Sequence, residues 1–556
     1  MSTAPAEETG PRSVLYLAGS VYSPADPFAT AVLVEGDRVA WVGSEEAAQA
    51  QRSRADVVVE APGALVTPGF VDAHAHVTET GLALSGVDLS RATSAAQVLD
   101  LVADAARAAP GRPVLGHGWD DTAWPEGAPP SREELDRAAR GAEVLLSRVD
   151  VHSALVSSAL AERAGLRGLE GWDGGALVAR RAHDVARDVS RRMSAGERER
   201  VQRRALEAAA AAGVAAVTEC SAPHVGSPED LRALRALSDG GDVPEVLAYW
   251  GALARDEDEA RAALAEVDGA GVLGLAGDLC VDGSYGSRSA ALREPYADLA
   301  GTGLPDGHAG FLHLSADEVA AHLVACTRAG VQGGFHVIGD AACDALVEGL
   351  LAAEREVGTP ALASARHRVE HLEAPDARAV AELARLGVVA SVQPAFDAVW
   401  GGAGRLYAQR LGVGRAAALN PLADLASAGV PLALGSDAPV TPFDPWGAVR
   451  ACTAMSGEGQ SLSARAAFLA HTRGGWRAAR RDGEGVLVPG ALATLAVWSV
   501  GDLVVQAADA RVSSWSTDPR SGTPGLPDLS AGAPAPRCQR LLRAGRVLHD
   551  SGDLAA

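Results

Sequence analysis

Two histidines one residue apart, His74 and His76, stand in the run VDAHAHV. On a β-strand, side chains at i and i+2 leave the same face with roots about 6–7 Å apart, close enough to converge on one metal ion. Three more candidates each end an apolar, strand-like run: His336 in GGFHVIGDAACD, His371 in RVEHLE and Asp437 in LALGSDAPV. Any one of them could be a packed histidine or a helix cap. Taken together, four imidazoles and a carboxylate, with no cysteine-rich cage, suit Zn²⁺ or a similar borderline divalent ion. A further stretch, GDLCVDGSYGSRSAAL, puts Asp278, Cys280 and Asp282 at alternate positions, where a strand would show all three on one face. Two acids and a thiol are an odd filling for a buried strand.

These residues need elements to position them. The middle of the chain alternates apolar runs with Ala/Arg/Glu-rich helical stretches, the pattern of parallel βα units. Eight strands are expected at 69–76, 214–220, 243–250, 275–282, 331–338, 368–373, 388–394 and 430–437. That arrangement is an α/β fold, a (β/α)₈ TIM barrel whose strand C-termini face the catalytic mouth. Residues 13–67 and 487–556 read as short β-runs, with EGDR as a hairpin turn, and suggest a small β-sandwich built from both chain termini. The barrel then spans 68–486, with an inserted lid region at about 80–205. Residues 1–12 read as a flexible tail, and Ser513–Arg537 as an irregular Pro/Gly/Ser-rich loop.

Composition narrows the function. The chain has 556 residues, 47% of them hydrophobic, enough for a large core. A net charge of −22 argues against nucleic acid as a partner. All 49 basic residues are arginine, so a Schiff-base, nucleophilic or carboxylated lysine is chemically excluded. The six cysteines are scattered without a CxxC, which suggests free thiols in a reducing compartment. No apolar signal core and no uncharged stretch of about 18 apolar residues is seen, so a soluble cytoplasmic protein without membrane contact is expected. A homodimer is left open.

The chain resembles the amidohydrolase superfamily, specifically its amidohydrolase-3 branch of N-substituted formamide deformylase-like enzymes. The resemblance runs from VTPGFVDAHAHV through GHGWDDTAWPEG, RVDVHSALVSSAL, DGSYGSRSAAL and FHVIGDAACDALVEGL. It continues through RHRVEHLE, SVQPAFD, GSDAPVTPFDPW and HTRGGWRAA. It implies a metal-dependent hydrolase of carbon–nitrogen bonds other than peptide bonds, acting on a small amide or N-substituted formamide. By position, His74, His76 and His336 are implied metal ligands, and His371 binds the metal or polarises the scissile carbonyl. Asp437 contacts metal and water and serves as general base, then acid. The ion makes water acidic and acts as a Lewis acid.

Many relatives carry a lysine, modified with CO₂, four residues before the DG of the fourth-strand motif; here that residue is Asp278. Two readings follow. One ion sits on His74, His76, His336 and Asp437, which is favoured; otherwise Asp278 or Cys280 supplies a bridge, helped by Glu219 or Cys220. In the inserted blocks, Trp119, Asp120 and Trp124 offer aromatic walls with an acid, and Asp150 and His152 offer polar contacts, unless they simply pack a lid. Ser284, Ser287 and Arg288 stand at the expected mouth, and Gln393 ends the seventh strand as a substrate donor. Two alternatives stand beside the amide hydrolase: a deaminase of a heterocyclic amine, and a non-catalytic sensing or binding relative.

Overall fold

A computed structural model describes residues 13–506, 515–516 and 524–554. The segment 1–12, expected as a tail, lies outside the described residues, as do 513–514 and 517–523 of the expected loop. The described part of that loop holds two short strands, Trp515–Ser516 and Leu526–Pro527, each paired with Leu503–Gln506.

Seven of the eight expected strand segments contain a strand, and the eighth, 275–282, overlaps one at Leu275 alone. We number these alone: β1 Phe70–Ala75, β2 Val214–Ser221, β3 Glu245–Trp250, β4 Gly274–Leu275, β5 Gln332–Val337, β6 Arg368–His371, β7 Val389–Val392 and β8 Leu432–Leu434. They form two parallel sheets, ordered β3-β2-β1 and β4-β5-β6-β7-β8. Parallel bridges between Ala75 and Ala438 and between Ala248 and Val272 join the sheets at both seams. The result is a TIM-barrel-like α/β fold. β1, β2, β5, β6 and β7 are buried along their whole length, as strands covered by helices on one side and by barrel filling on the other must be. Helices start where their sequences allow. Ser194 with Glu197 and Ser315 with Glu318 form capping boxes that open Ala195–Ala211 and Ala316–Ala329.

β4 is much shorter than the 275–282 read from sequence. It stops at Leu275, and Gly277 turns the chain with φ +84, where an added Cβ would come within 3.0 Å of Cys220. A strand cannot continue through that conformation. Asp278, Cys280 and Asp282 therefore do not share a face, contrary to the alternation argument.

Between β1 and β2 lies a separate five-stranded sheet, ordered Leu177–Ala179, Ser153–Val156, Val144–Arg148, Val114–Trp119 and Val87–Asp88. It has its own core, around Val98, Trp119, Leu135 and Leu146. The two chain ends meet in one seven-stranded sheet, in which Val57–Pro68 pairs parallel with Ser13–Val21 and antiparallel with Leu495–Ser499. Its hairpin Ala31–Glu35/Arg38–Gly43 turns at Gly36, where φ is +59. The six cysteines are all free. Among the described residues no helix is long and apolar enough to cross a membrane.

Candidate metal centre

Six side chains converge at the C-terminal ends of the barrel strands. His74 comes from β1, and His76 starts the helix Val77–Ser85 just beyond it. His336 lies near the end of β5 and His371 ends β6, while Asp278 and Asp437 follow β4 and β8. Asp72 fixes β1 against the β8 loop, its Oδ1 accepting the backbone N–H groups of His74 and Ser436 at 3.2 and 3.0 Å. Asp437 and His371 sit at φ +55 and +68, a left-handed conformation that side-chain-bearing residues adopt at a cost and that recurs at functional positions.

The two carboxylates face the two β1 imidazoles. Asp278 lies 3.4 Å from His74 Nε2 and 3.2 Å from His76 Nε2; Asp437 Oδ1 lies at the same two distances. Nevertheless His74 Nε2, Asp278 Oδ1 and Asp437 Oδ1 are buried without a hydrogen-bond partner. The geometry brings lone pairs towards one point and leaves them unsatisfied, which a cation there would relieve. Sets that could hold one ion are His74, His76 and Asp278, and His74, His371 and Asp437. The rings of His336 and His371 are 4.5 Å apart, and those of His74 and His371 4.8 Å.

The electrostatics agree. Burial pulls His76 down, but Asp278 and Asp437 outweigh it and lift the imidazole to about 10. Burial and neighbouring imidazoles push His336 and His371 below the ordinary histidine value, into the neutral form that ligates metals. Against burial, His76 and His74 hold Asp278 well below the usual carboxylate range.

Supporting residues, which the sequence reading did not single out, orient the ligands. His74 Nδ1 donates to Glu370 Oε2 at 2.9 Å, which turns Nε2 towards the site. Glu370 is gripped by Arg368 at 2.5 and 2.9 Å, and Arg368 also donates to the Ala73 carbonyl at 2.7 Å. Burial would raise the Glu370 carboxyl, but Arg368 and His74 hold it at about 2.

Other expected ligands point elsewhere. Cys280 approaches His224 Nε2 at 3.9 Å and belongs to no candidate ion-holding set among the described residues. Asp282, expected to shape the turn rather than to bind an ion, accepts backbone N–H groups of Ile338, Gly339 and Ala291 at 2.7–2.9 Å. Glu219 takes the Val77 N–H at 2.7 Å. Cys220 groups with His74 and Glu370, but burial pushes its thiol to about 12.

A narrow cleft of about 40 Å³ opens from the centre, lined by His336, His371 and Asp437 on one side. Its wall is aromatic: Phe396 stacks near His371, followed by Trp400, Tyr407 and Tyr285 in edge or tilted contact. Asp150, His152 and Ser284 line it as expected, with Arg148 and Glu373 as additions. Asp150 is not free, however. Its Oδ2 accepts Ser284 Oγ at 3.0 Å and Ser287 Oγ at 2.7 Å, and Arg148 Nη1 stands 3.3 Å away.

Five residues expected as substrate contacts are engaged by other groups of the chain. Trp119 is buried in the core of the inserted sheet and donates to the Leu146 carbonyl at 2.8 Å; Trp124 packs beside it. Asp120 caps the turn Asp121–Ala123 and accepts Arg148 Nη2 at 3.0 Å. Arg288 is neutralised by a two-pronged ion pair with Asp298 at 3.0 and 2.7 Å. Gln393 acts on His371 instead, its Oε1 accepting from Nδ1 at 2.8 Å while its Nε2 stays buried and unpartnered.

Comparison with known proteins places the chain in a family. A model of the amidohydrolase family matches residues 57–548. The YtcJ protein of Bacillus subtilis strain 168 is 27% identical over 445 residues, covering 75% of this chain and 78% of its own. N-substituted formamide deformylase of Arthrobacter pascens is 32% identical over 141 residues, 25% of this chain and 26% of that protein. A solved metal-dependent hydrolase of Pyrococcus horikoshii OT3, described as uncharacterized, shares the fold with a TM-score of 0.69 at 24% identity, covering 90% of this chain and 99% of its own. The chain therefore belongs to the amidohydrolase family, and it is a hydrolase.

Proposed function

We propose that the protein hydrolyses a carbon–nitrogen bond, other than a peptide bond, in a small amide or N-substituted formamide. The observation that carries this reading is the cluster of buried, unsatisfied imidazole and carboxylate lone pairs opening onto an aromatic cleft. His74, His76, Asp278 and Asp437 would hold one divalent cation, with zinc the best chemical match; two neutral imidazoles and two carboxylates balance its charge. A cation held there supplies Lewis-acid polarisation of the scissile carbonyl and a water acidic enough to attack near neutral pH.

The remaining steps belong to the chain's own groups. Asp437 accepts the water proton and returns it to the departing nitrogen, a base that becomes the acid. His371, whose Nδ1 donates to Gln393, keeps its Nε2 lone pair turned towards the centre, where it would accept a hydrogen of the attacking water, with His336 beside it. The aromatic wall receives the apolar part of the substrate and excludes water. On this reading the eight strands act as one closed (β/α)₈ barrel, with the composite β-sandwich at the chain ends and the 80–205 insertion as a lid.

The test is a screen of N-formyl, N-acyl and cyclic amides with zinc-loaded protein, following formate or carboxylate release against ammonia release. Ammonia as product would favour a deaminase. Asp437→Asn should cost about 10²–10⁴-fold in kcat, the range for a lost general base; unchanged activity would remove Asp437 from this role. Metal content after dialysis should be one equivalent per chain, and a firm two would rule out the single-ion centre.

A further inference from the structure

Glu373 ends the RVEHLE run and lines the aromatic cleft, yet it takes no part in the chemistry above. It is buried, its Oε2 has no hydrogen-bond partner, and among the described residues it forms no ion pair. It also belongs to no candidate ion-holding set. Tyr407 and Asn420 are its neighbours and turn donors towards its carboxyl, which holds it lower than burial alone would, although neither the Tyr407 hydroxyl nor Asn420 Nδ2 completes a close hydrogen bond. The Asn420 backbone N–H donates to the Glu373 carbonyl at 2.7 Å, so the group is held together by the main chain. A buried carboxyl that lines a cleft with acceptor capacity still unfilled is a standing free-energy cost unless a ligand completes it. Around it the cleft offers Tyr285, Trp400, Leu406 and Val440, which provide area but no hydrogen bonds to this corner.

We propose that Glu373, with Tyr407 and Asn420, forms a polar subsite that recognises a hydrogen-bond donor (hydroxyl, amino or ammonium) carried on the apolar portion of the substrate. This deepens the hydrolase reading and rests on it. Glu373 is a specificity residue: it accepts the donor's hydrogen while the imidazole and carboxylate cluster acts on the C–N bond at the other end of the cleft. A substrate lacking the donor leaves a buried carboxyl unmet, the situation in which sites discriminate most strongly.

The experiment uses matched pairs of N-acyl phenylalkylamines, para-hydroxy or para-aminomethyl against para-hydrogen, with the zinc-loaded full chain. Ketone isosteres of the same pairs, which cannot be hydrolysed, are titrated calorimetrically. The wild type should prefer the donor-bearing member by about 10-fold or more in both kcat/KM and ketone affinity. Glu373→Leu should bring that ratio close to one, Glu373→Gln should keep part of it, and Tyr407→Phe, which removes only a hydroxyl, should reduce it. A purely structural role would lower both members of a pair together and leave the ratio standing, which overturns the proposal. Equal binding of the two ketones by the wild type overturns it as well, whatever the hydrolysis shows. Discrimination between ketones that depends on Glu373, without hydrolysis of either amide, supports the subsite and overturns the hydrolase reading instead.

Discussion

His74 is held from both sides, by Glu370 on Nδ1 and by Asp278 and Asp437 opposite Nε2. Its ring is thus oriented by a carboxylate that stands behind it. Glu370→Gln keeps the shape but weakens the acceptor, and should lower zinc affinity about 10–100-fold in a competitive chelator titration. An unchanged affinity would show that the Arg368–Glu370 pair serves packing alone. The ligands themselves were legible because their residue types are rare at strand ends and their order is fixed by the barrel. Glu370 and Arg368 escaped notice because a charged pair in a short run gives no hint that it is fully buried. Trp119 and Arg288 misled for the opposite reason: aromatic and cationic residues near an expected mouth resemble substrate contacts, while burial in a core or pairing with Asp298 is invisible in sequence.

At the scale of elements, apolar runs located all eight strands, since buried parallel strands read as near-continuous hydrophobic segments. The exception is informative. β4 breaks at Gly277, and the irregular segment that follows carries Asp278 to within 3.4 Å of both β1 histidines. A side chain too short to replace a modified lysine from a regular strand reaches the site because the backbone leaves the strand. Periodicity alone does not report such a break. The loop after β4 is in turn fastened to the inserted sheet through Asp150, which accepts the Ser284 and Ser287 hydroxyls and pairs with Arg148, itself buried among Asp120, Asp121 and Asp150. Removing one member of a buried ion network strands the others, typically at about 3–5 kcal/mol. Arg148→Met should therefore lower unfolding stability by about that amount and raise KM, because Asp150 and Ser284 line the cleft. Chemical denaturation and steady-state kinetics read the two effects separately, and a loss of stability with KM unaltered would separate the lid from substrate binding.

Over the whole molecule, the pH dependence of stability mixes two opposed populations of buried groups. Burial raises the carboxyls of Glu219 and Asp282 to about 7, so the folded state keeps protons the unfolded chain releases. Their contribution is present at low pH and is lost as pH rises towards 7. Burial lowers His183, His322 and His471 to about 4, so here the unfolded chain takes up protons that the folded state refuses. That contribution falls as pH drops from 6.5 to about 4. A single stability curve cannot separate the two, but a difference between variants can. His322 packs behind β4, Nδ1 accepting the Ala254 N–H at 3.1 Å and Nε2 donating to the Leu275 carbonyl at 2.9 Å, an arrangement only the neutral ring satisfies. The stability advantage of the wild type over His322→Gln should be constant above pH 6.5 and shrink by up to ~1.4 kcal/mol per pH unit as the pH falls towards 4. Denaturant titrations of both proteins at pH 7.5, 6 and 5 supply the three points, and an advantage that stayed constant or grew on acidification would mean that His322 charges without leaving its place.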